Sequence, residues 1–275
     1  MSRRDFDLAH IKAELQKLHF KLERRLAVYV AGGFVMVALG LKAGTKDIDV
    51  VLENKPQFES LVSGLQSIGY KVVSKPLLTK TYRKLAAEAI LENNDGFRWD
   101  VFLNVVANKL FLSDSMKGRA QLYLNAGNLR VCALSKEDIF LMKGVTDRDR
   151  DLEDMYRIAR SGIEYKLVFD ECLFQSEKTH RIWEAGLYEK CKELKEKYNL
   201  TVPFSSKLRK MGEKKLIFTI YMREISKGNN TEKSLVRALD GKLTRRQVIS
   251  DLRFLTKAGK LEVEVGRFVV PKTNR

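Results

Sequence analysis

The sequence predicts an α+β protein: a small mixed β-sheet domain, a helical extension, and a C-terminal domain of helices closed by a hairpin. Three observations predict it. Short apolar runs alternate with helical patterns through the first half of the chain, helical periodicity dominates from about residue 135 to 198, and the composition turns strongly basic after residue 200. The boundaries read as 1–134 for the sheet domain, 135–200 for the helical extension and 212–275 for the last domain, with Asn199 to Met211, which contains Pro203 and Ser205-Ser206, as the linker.

Asp7 to Leu26 reads as a helix, because Leu8, Ile11, Leu15, Leu18, Leu22 and Leu26 recur at three- and four-residue steps. Ala27 to Ala31 is an apolar run stopped by Gly32-Gly33, and reads as a buried strand. Phe34 to Leu41 is a brief apolar helix, Asp47 to Leu52 a second strand, and Gln57 to Ile68 a helix closed by Gly69. Tyr70 to Ser74, Lys84 to Leu91 and Arg98 to Leu103 are three more expected strands, followed by Leu129 to Leu134. Ser135 and Asp138 then form an S-x-x-D capping signature ahead of Ile139, Phe140 and Met142. Helices follow to about Tyr198, broken at Ser161-Gly162.

The last segment reads as three helices, Lys215 to Ser226, Glu232 to Leu239 and Arg245 to Ala258, the third capped by Thr244 with Gln247. Leu261 to Val265 and Phe268 to Val270 form a hairpin around Gly266-Arg267. Three helices followed by a hairpin is the plan of a winged helix. Val248, Leu252 and Leu255 line one face of the third helix and Arg246, Ser250, Arg253 and Lys257 the other. With Arg245, the basic members of that face, Arg246, Arg253 and Lys257, are candidates for nucleic-acid contact, although Glu262 and Glu264 sit on the wing.

Charge supports this division. The chain carries 51 Lys and Arg against 35 Asp and Glu, a net +16, and residues 201–275 hold 18 against 7, so about two thirds of the excess lies in the last quarter. That asymmetry points to a polyanion partner for the C-terminal part. No stretch approaches the roughly eighteen unbroken apolar residues of a membrane span, and the charged N-terminus lacks a signal-peptide core. Cys132, Cys172 and Cys191 are scattered and without C-x-x-C spacing, which fits a reducing compartment; the cytoplasm is the expected address. His10, His19 and His180 have no metal-ligand spacing, and Trp183 reads as a packing residue.

The chemistry concentrates in Asp47-Ile48-Asp49. Side chains two apart on a strand share a face, so both carboxylates project together while Ile48 points into the core. Two adjacent anions raise one pKa unless a cation lies between them, and hard oxygen ligands suit Mg²⁺ completed by substrate phosphates. Asp100, within the expected strand Arg98 to Leu103, could supply a third carboxylate. Gly32-Gly33 lies between a strand and a helix, where missing Cβ atoms let the backbone approach a triphosphate. Glycine pairs and Asp-x-Asp triplets are each common. In this order, about fourteen residues apart and followed by a strand carboxylate, they are far more specific.

The run from Gly32-Gly33 through Gly40 to Thr45-Lys46-Asp47-Ile48-Asp49 resembles the first motif of the nucleotidyltransferase superfamily of polymerase-β-like fold. Leu134 to Asp138, Lys143 and Arg148 to Asp154 resemble a later helical motif of the group that contains abortive-infection type toxin nucleotidyltransferases. The resemblance covers roughly residues 27–160 and leaves out the winged-helix segment. It implies that Asp47 and Asp49 hold two Mg²⁺ ions with a nucleoside triphosphate, and that Asp100 binds the second metal and helps deprotonate an acceptor hydroxyl. It implies that Gly32 and Gly33 cradle the β- and γ-phosphates, that Thr45 and Lys46 flank the acids, and that Lys143 with Asp151 positions the nucleotide. Many relatives carry an arginine three residues after the glycine matching Gly40. Here that position is Ala43, and Lys42 beside it could replace the charge but not a bidentate fork.

The expected function is metal-dependent transfer of a nucleoside monophosphate to an acceptor, RNA or tRNA being favoured, with an antitoxin-type protein as a possible controlling partner. The alternative is a DNA-binding regulator whose first domain senses nucleotides without turnover. An antibiotic-modifying transferase would fit the motif but leaves the basic C-terminus without a role.

Overall fold

The computed structural model describes residues 4–74, 86–107, 109–146 and 148–271. By its internal contacts the chain divides into two compact units, Met1–Ser205 and Ser206–Arg275.

The first unit opens with helix α1 (Leu8–His19), capped where the Asp7 carboxylate accepts from the His10 N–H at 2.9 Å. The leucine period continues past this helix to Leu22 and Leu26, so the expected helix to Leu26 is too long. Leu26 instead opens strand β1 (Leu26–Ala31), where it pairs with Leu129, and the ladder satisfies backbone groups that a longer helix would have used. Helix α2 (Gly32–Ala38) starts directly on the glycine pair, and strand β2 (Asp47–Leu52) has the expected bounds. Helix α3 (Lys55–Ser67) is capped by Asn54 and packs on β1 and β2, and its Gly64 lies against Leu18 and Leu22.

Strand β3 is only Lys71–Val72 and β4 is Ala89–Glu92; the start of the expected strand Lys84 to Leu91, residues 84 and 85, lies outside the described residues. Strand β5 (Arg98–Leu103) matches its expected bounds. Sequence reasoning passed over the next elements: a small hairpin of β6 (Val105–Val106) and β7 (Leu110–Phe111), helix α4 (Asp114–Arg119) and strand β8 (Gln121–Ala126). The signals were present, in the Ser113 cap of α4 and in the Gly127-Asn128 turn that returns the chain into β9 (Leu129–Ala133). The main sheet runs β3-β4-β5-β2-β1-β9-β8 and is mixed: β2 is parallel to β5, β1 parallel to β9, and the other neighbours are antiparallel.

Four helices follow: α5 (Lys136–Gly144), α6 (Asp149–Arg160), α7 (Tyr165–Thr179) and α8 (Trp183–Tyr198). The Ser135 hydroxyl caps α5 by accepting from the Asp138 N–H, and α6 ends at Ser161-Gly162 as the sequence indicates. A buried polar network ties α4 to α5 and α7. Arg119 reaches both Asp138 and Glu171, and Glu171 also accepts from Ser113, Ser115 and Gln175 at 2.7–2.9 Å.

Helix α9 (Ser205–Ser226) starts ten residues before the expected Lys215, so the second half of the expected linker Asn199 to Met211 is helical, while the boundary between the two units falls inside that segment. The serines that read as loop are helix-opening residues, and Pro203 lies just ahead of them, where proline interrupts nothing. Helices α10 (Glu232–Ala238) and α11 (Arg245–Lys257) both begin with complete capping boxes, Thr231 with Ser234 and Thr244 with Gln247. Strands β10 (Glu262–Glu264) and β11 (Arg267–Val269) form the terminal hairpin. Its turn is Val265-Gly266, one residue earlier than expected. Both residues have positive φ, 47° and 72°, the geometry that suits a two-residue turn to the strand twist. Tyr221, Leu235, Leu239, Val248, Leu252, Leu255 and Leu261 form this unit's own core.

Candidate active site

The sheet register assembles the site. Ala31 at the end of β1 lies opposite Asp49 on β2, and Asp49 lies beside Asp100 on the parallel strand β5. Ile48 and Val50 are fully buried on one face, so Asp47 and Asp49 emerge on the other, as the two-residue period requires. Parallel neighbours in register point the same way, so Asp100 shares that face.

The glycine pair is where the chain crosses this face at close range. A Cβ on Gly32, whose φ is +65°, would stand 1.8 Å from Asp49 Oδ2, and one on Gly33 would stand 2.3 Å from Thr45 Oγ1. No side chain larger than hydrogen fits at either position without displacing the residue it meets. Thr45 is buried, and its hydroxyl donates to the Asp47 carbonyl at 3.1 Å. Its backbone is pinned by two hydrogen bonds with Phe6, at 2.8 and 2.9 Å. Thr45 therefore fixes the strand entry that aims Asp47.

Two clefts meet at Asp49. The first is apolar on most of its walls, formed by Phe102, Val106, Leu110, Ile139, Met142 and Val145, and Gly32 and Asp49 also line it. The second is polar. It is lined by Gly33, Thr45, Asp47 and Asp49 and by five cationic side chains, Lys42, Lys46, Lys143, Arg148 and Arg150. Asp49, Lys143 and Arg148 belong to both. Asp100 is buried and lines neither cleft.

Lys143 and Asp151, expected to act together, form an ion pair of 2.7 Å. The structure enlarges this pair. Asp154 also binds Lys143 at 2.8 Å, and Lys42 at 2.8 Å. Burial alone would pull the Lys143 ammonium down, but Asp151 and Asp154 outweigh it and hold its pKa above the ordinary value. Asp154 is held below the ordinary carboxylate range: burial opposes ionisation, and Lys143 and Lys42 overcome it. Lys42, Arg148, Arg150 and Asp154 were not among the site residues chosen from sequence. The alternating charges of residues 147–154 look like a solvated helix face, and only the burial of Asp151 and Asp154 distinguishes them. Ala43 is exposed, whereas Lys42 lines the polar cleft.

Asp49 carries the main electrostatic cost. Burial, and then the neighbouring Asp47 carboxylate, push its pKa up to about 6, against the opposing pull of Lys143 and Arg148. A folded-state pKa above the unfolded 3.8 means that this carboxyl favours folding at acid pH and loses that contribution as pH rises towards about 6. Asp49→Asn is therefore expected to stabilise the metal-free protein above pH 6 by up to ~3 kcal/mol, and to match wild type near pH 4. Urea unfolding at both pH values checks this. A stability difference independent of pH would rule out the ionised Asp49 as its source.

The same strain tests the fit of a divalent cation. Among the described residues no group of three or more His, Cys, Asp or Glu is arranged to hold a metal ion. The Asp47/Asp49 pair nonetheless fits a magnesium ion whose remaining ligands are substrate phosphates and water.

The mixed sheet, the paired acids against a diglycine and the cation-lined cleft are those of the nucleotidyltransferase class. The chain belongs to the DUF6036 family, described as nucleotidyltransferase of unknown function, whose model matches residues 7–171. No curated protein matches the chain. Among the described residues, no helix is long and apolar enough to cross a membrane.

Proposed function

We propose that the protein transfers a nucleoside monophosphate from a nucleoside triphosphate to an acceptor hydroxyl, with RNA or tRNA as the favoured acceptor, and releases pyrophosphate. One observation carries the reading: Gly32 admits the Asp49 carboxylate to a position that any Cβ would occupy, beside a cleft walled by five cations. The approach carries a cost to the fold, since burial and the Asp47 carboxylate push the Asp49 pKa up. A bond forms between the acceptor oxygen and the α-phosphorus, and the bond from that phosphorus to the oxygen bridging the β-phosphate breaks. The electron pair leaves with pyrophosphate. Asp47 and Asp49 would hold magnesium, which when bound stabilises charge on the entering and leaving oxygens. The cations of the polar cleft hold the phosphates in line; the resemblance gives the acceptor proton to Asp100, which is buried on this sheet face and lines neither cleft, so that role requires the acceptor to reach it.

The second unit supports a nucleic-acid acceptor. Arg245, Arg246 and Arg253 line a shallow groove with Ile249 and Ser250, and Lys257 is exposed on the same helix. We read this unit as a winged helix that binds nucleic-acid phosphates. The finer grouping with abortive-infection type toxins, and control by an antitoxin-type partner, belong to this reading too.

Labelled nucleoside triphosphates with Mg²⁺ and total RNA test it. Wild type is expected to label RNA and release pyrophosphate, and Asp47→Ala to reduce labelling at least ~10³-fold. Equal labelling by the two proteins would end the enzymatic reading. Salt-dependent, sequence-selective DNA binding that survives Asp49→Ala, with no labelling, would favour the nucleotide-sensing regulator instead.

A further inference from the structure

We infer that Lys42 is a polyphosphate-binding residue and that Asp154 is its positioning residue, one carboxylate on α6 setting the places of two ammonium groups on the polar cleft. The inference rests on the proposed nucleotide site and assigns its outer phosphates a cation.

Lys42 belongs to the loop between α2 and β2. Its Nζ lies 2.8 Å from Asp154 Oδ1 and 3.0 Å from Oδ2, and Lys143 Nζ lies 2.8 Å from the same carboxylate. A surface lysine paired with a surface acid is weakly held. This pair differs, because the Asp154 side chain is only 3% exposed while the Lys42 side chain is 29% exposed and lines the cleft. The anchor is buried and the cation faces outward. Arg157, three residues further along α6, donates to the Leu41 carbonyl at 3.2 Å, so the same helix grips the loop backbone beside Lys42.

Neutralising Asp151 and Asp154 calls for a second cation besides Lys143. Charge balance explains a positive group near Asp154, but not one that lines the cleft. An ammonium has three donors, and one carboxylate does not exhaust them. The neighbouring Ala43 brings no charge, and of the loop's two cations at the cleft, Lys42 and Lys46, Lys42 is the one held by Asp154.

Calorimetric titration of the full chain with inorganic tripolyphosphate and Mg²⁺ tests the assignment. Lys42→Met is expected to weaken binding at least tenfold and Lys42→Arg to restore most of it, each titrated well below its own melting temperature, since Lys42→Met takes a cation from the buried Asp154. Asp154→Asn is expected to weaken binding severalfold. The double variant Lys42→Met/Asp154→Asn should lose less than the product of the two single losses, because part of the effect of Asp154 runs through Lys42 and the rest through Lys143. Losses that multiply would overturn the positioning role, and an affinity for Lys42→Met within twofold of wild type would overturn the whole inference. Should Asp154→Asn fail to fold, Lys42→Met and Lys42→Arg still decide whether Lys42 binds polyphosphate. A wild type that binds neither tripolyphosphate nor any nucleoside triphosphate would instead remove the nucleotide site itself.

Discussion

Gly32→Ala is expected to reduce nucleotide transfer at least ~10²-fold, a loss out of proportion to its effect on folding. Two separate costs meet at this residue. Its φ of +65° costs an L-residue about 1–2 kcal/mol in backbone strain. The new methyl would also stand 1.8 Å from Asp49 Oδ2, so the carboxylate must move away from the line it shares with Asp47. Displacing a reacting group by about 1 Å is enough for a loss of that size. Gly40→Ala separates the two costs. Gly40 has φ +72°, and no atom lies within 4 Å of where its methyl would stand, so it carries the backbone cost alone. Gly40→Ala should lose similar stability and keep its activity. If both variants lose activity equally, the close approach of Gly32 to Asp49 is not what matters. Unfolding followed by tryptophan fluorescence supplies the stability side, since Trp99 and Trp183 are the chain's two tryptophans and both lie in the first unit.

The contact between Gly32 and Asp49 also marks how far the sequence could be read. Strands β2 and β5 had the expected bounds because most of their residues are buried and polar residues, Glu53-Asn54 and Asn104, close them. The motif Gly-Gly and Asp-x-Asp could be placed on a strand, a turn and a second strand by period alone. What the spacing could not show was that the two motifs touch, because that depends on β1 and β2 pairing with Ala31 opposite Asp49. The same limit explains Asp154 and Lys42. They are 112 positions apart, and no local pattern brings them together.

Local pattern also misled where two structures share one period. Apolar residues at three- and four-residue steps from Leu8 to Leu26 satisfy a single helix, yet the ladder to β9 claims Leu26. Ser205-Ser206 after Pro203 satisfies both a loop and a helix start. The segment between β5 and β9 gives little local signal, because β6 and β7 are two residues each and β8 is an edge strand with no fully buried residue. Its most consequential residue, Arg119, carries no sequence signal at all, since a lone arginine near a helix end is ordinary.

Arg119→Leu is expected to destabilise the first unit by about 3–5 kcal/mol, the cost of stranding buried charge. Asp138 and Glu171 are each 1% exposed at the side chain, and Arg119 is their shared cation. Burial already pushes the Asp138 carboxyl up despite that cation. Glu171 is held below the ordinary carboxylate range: burial is outweighed by hydrogen bonds from Arg119, Ser115, Gln175 and Ser113. Without the guanidinium both acids become harder to ionise in the folded state, so Asp138 rises further above its unfolded value and Glu171 rises from below the ordinary range. The variant should therefore come closest to wild type near pH 4, where both carboxyls can fold protonated, and fall furthest behind at pH 7 to 8. Adding Asp138→Asn and Glu171→Gln to Arg119→Leu should recover much of the loss at neutral pH, because no buried charge then lacks a partner. Urea unfolding read through Trp99 and Trp183 measures all of these on the unit that holds the network. A loss that stays constant from pH 4 to 8, with no recovery in the triple variant, would mean that Arg119 contributes by packing its stem against α5 and α7 and not by its charge.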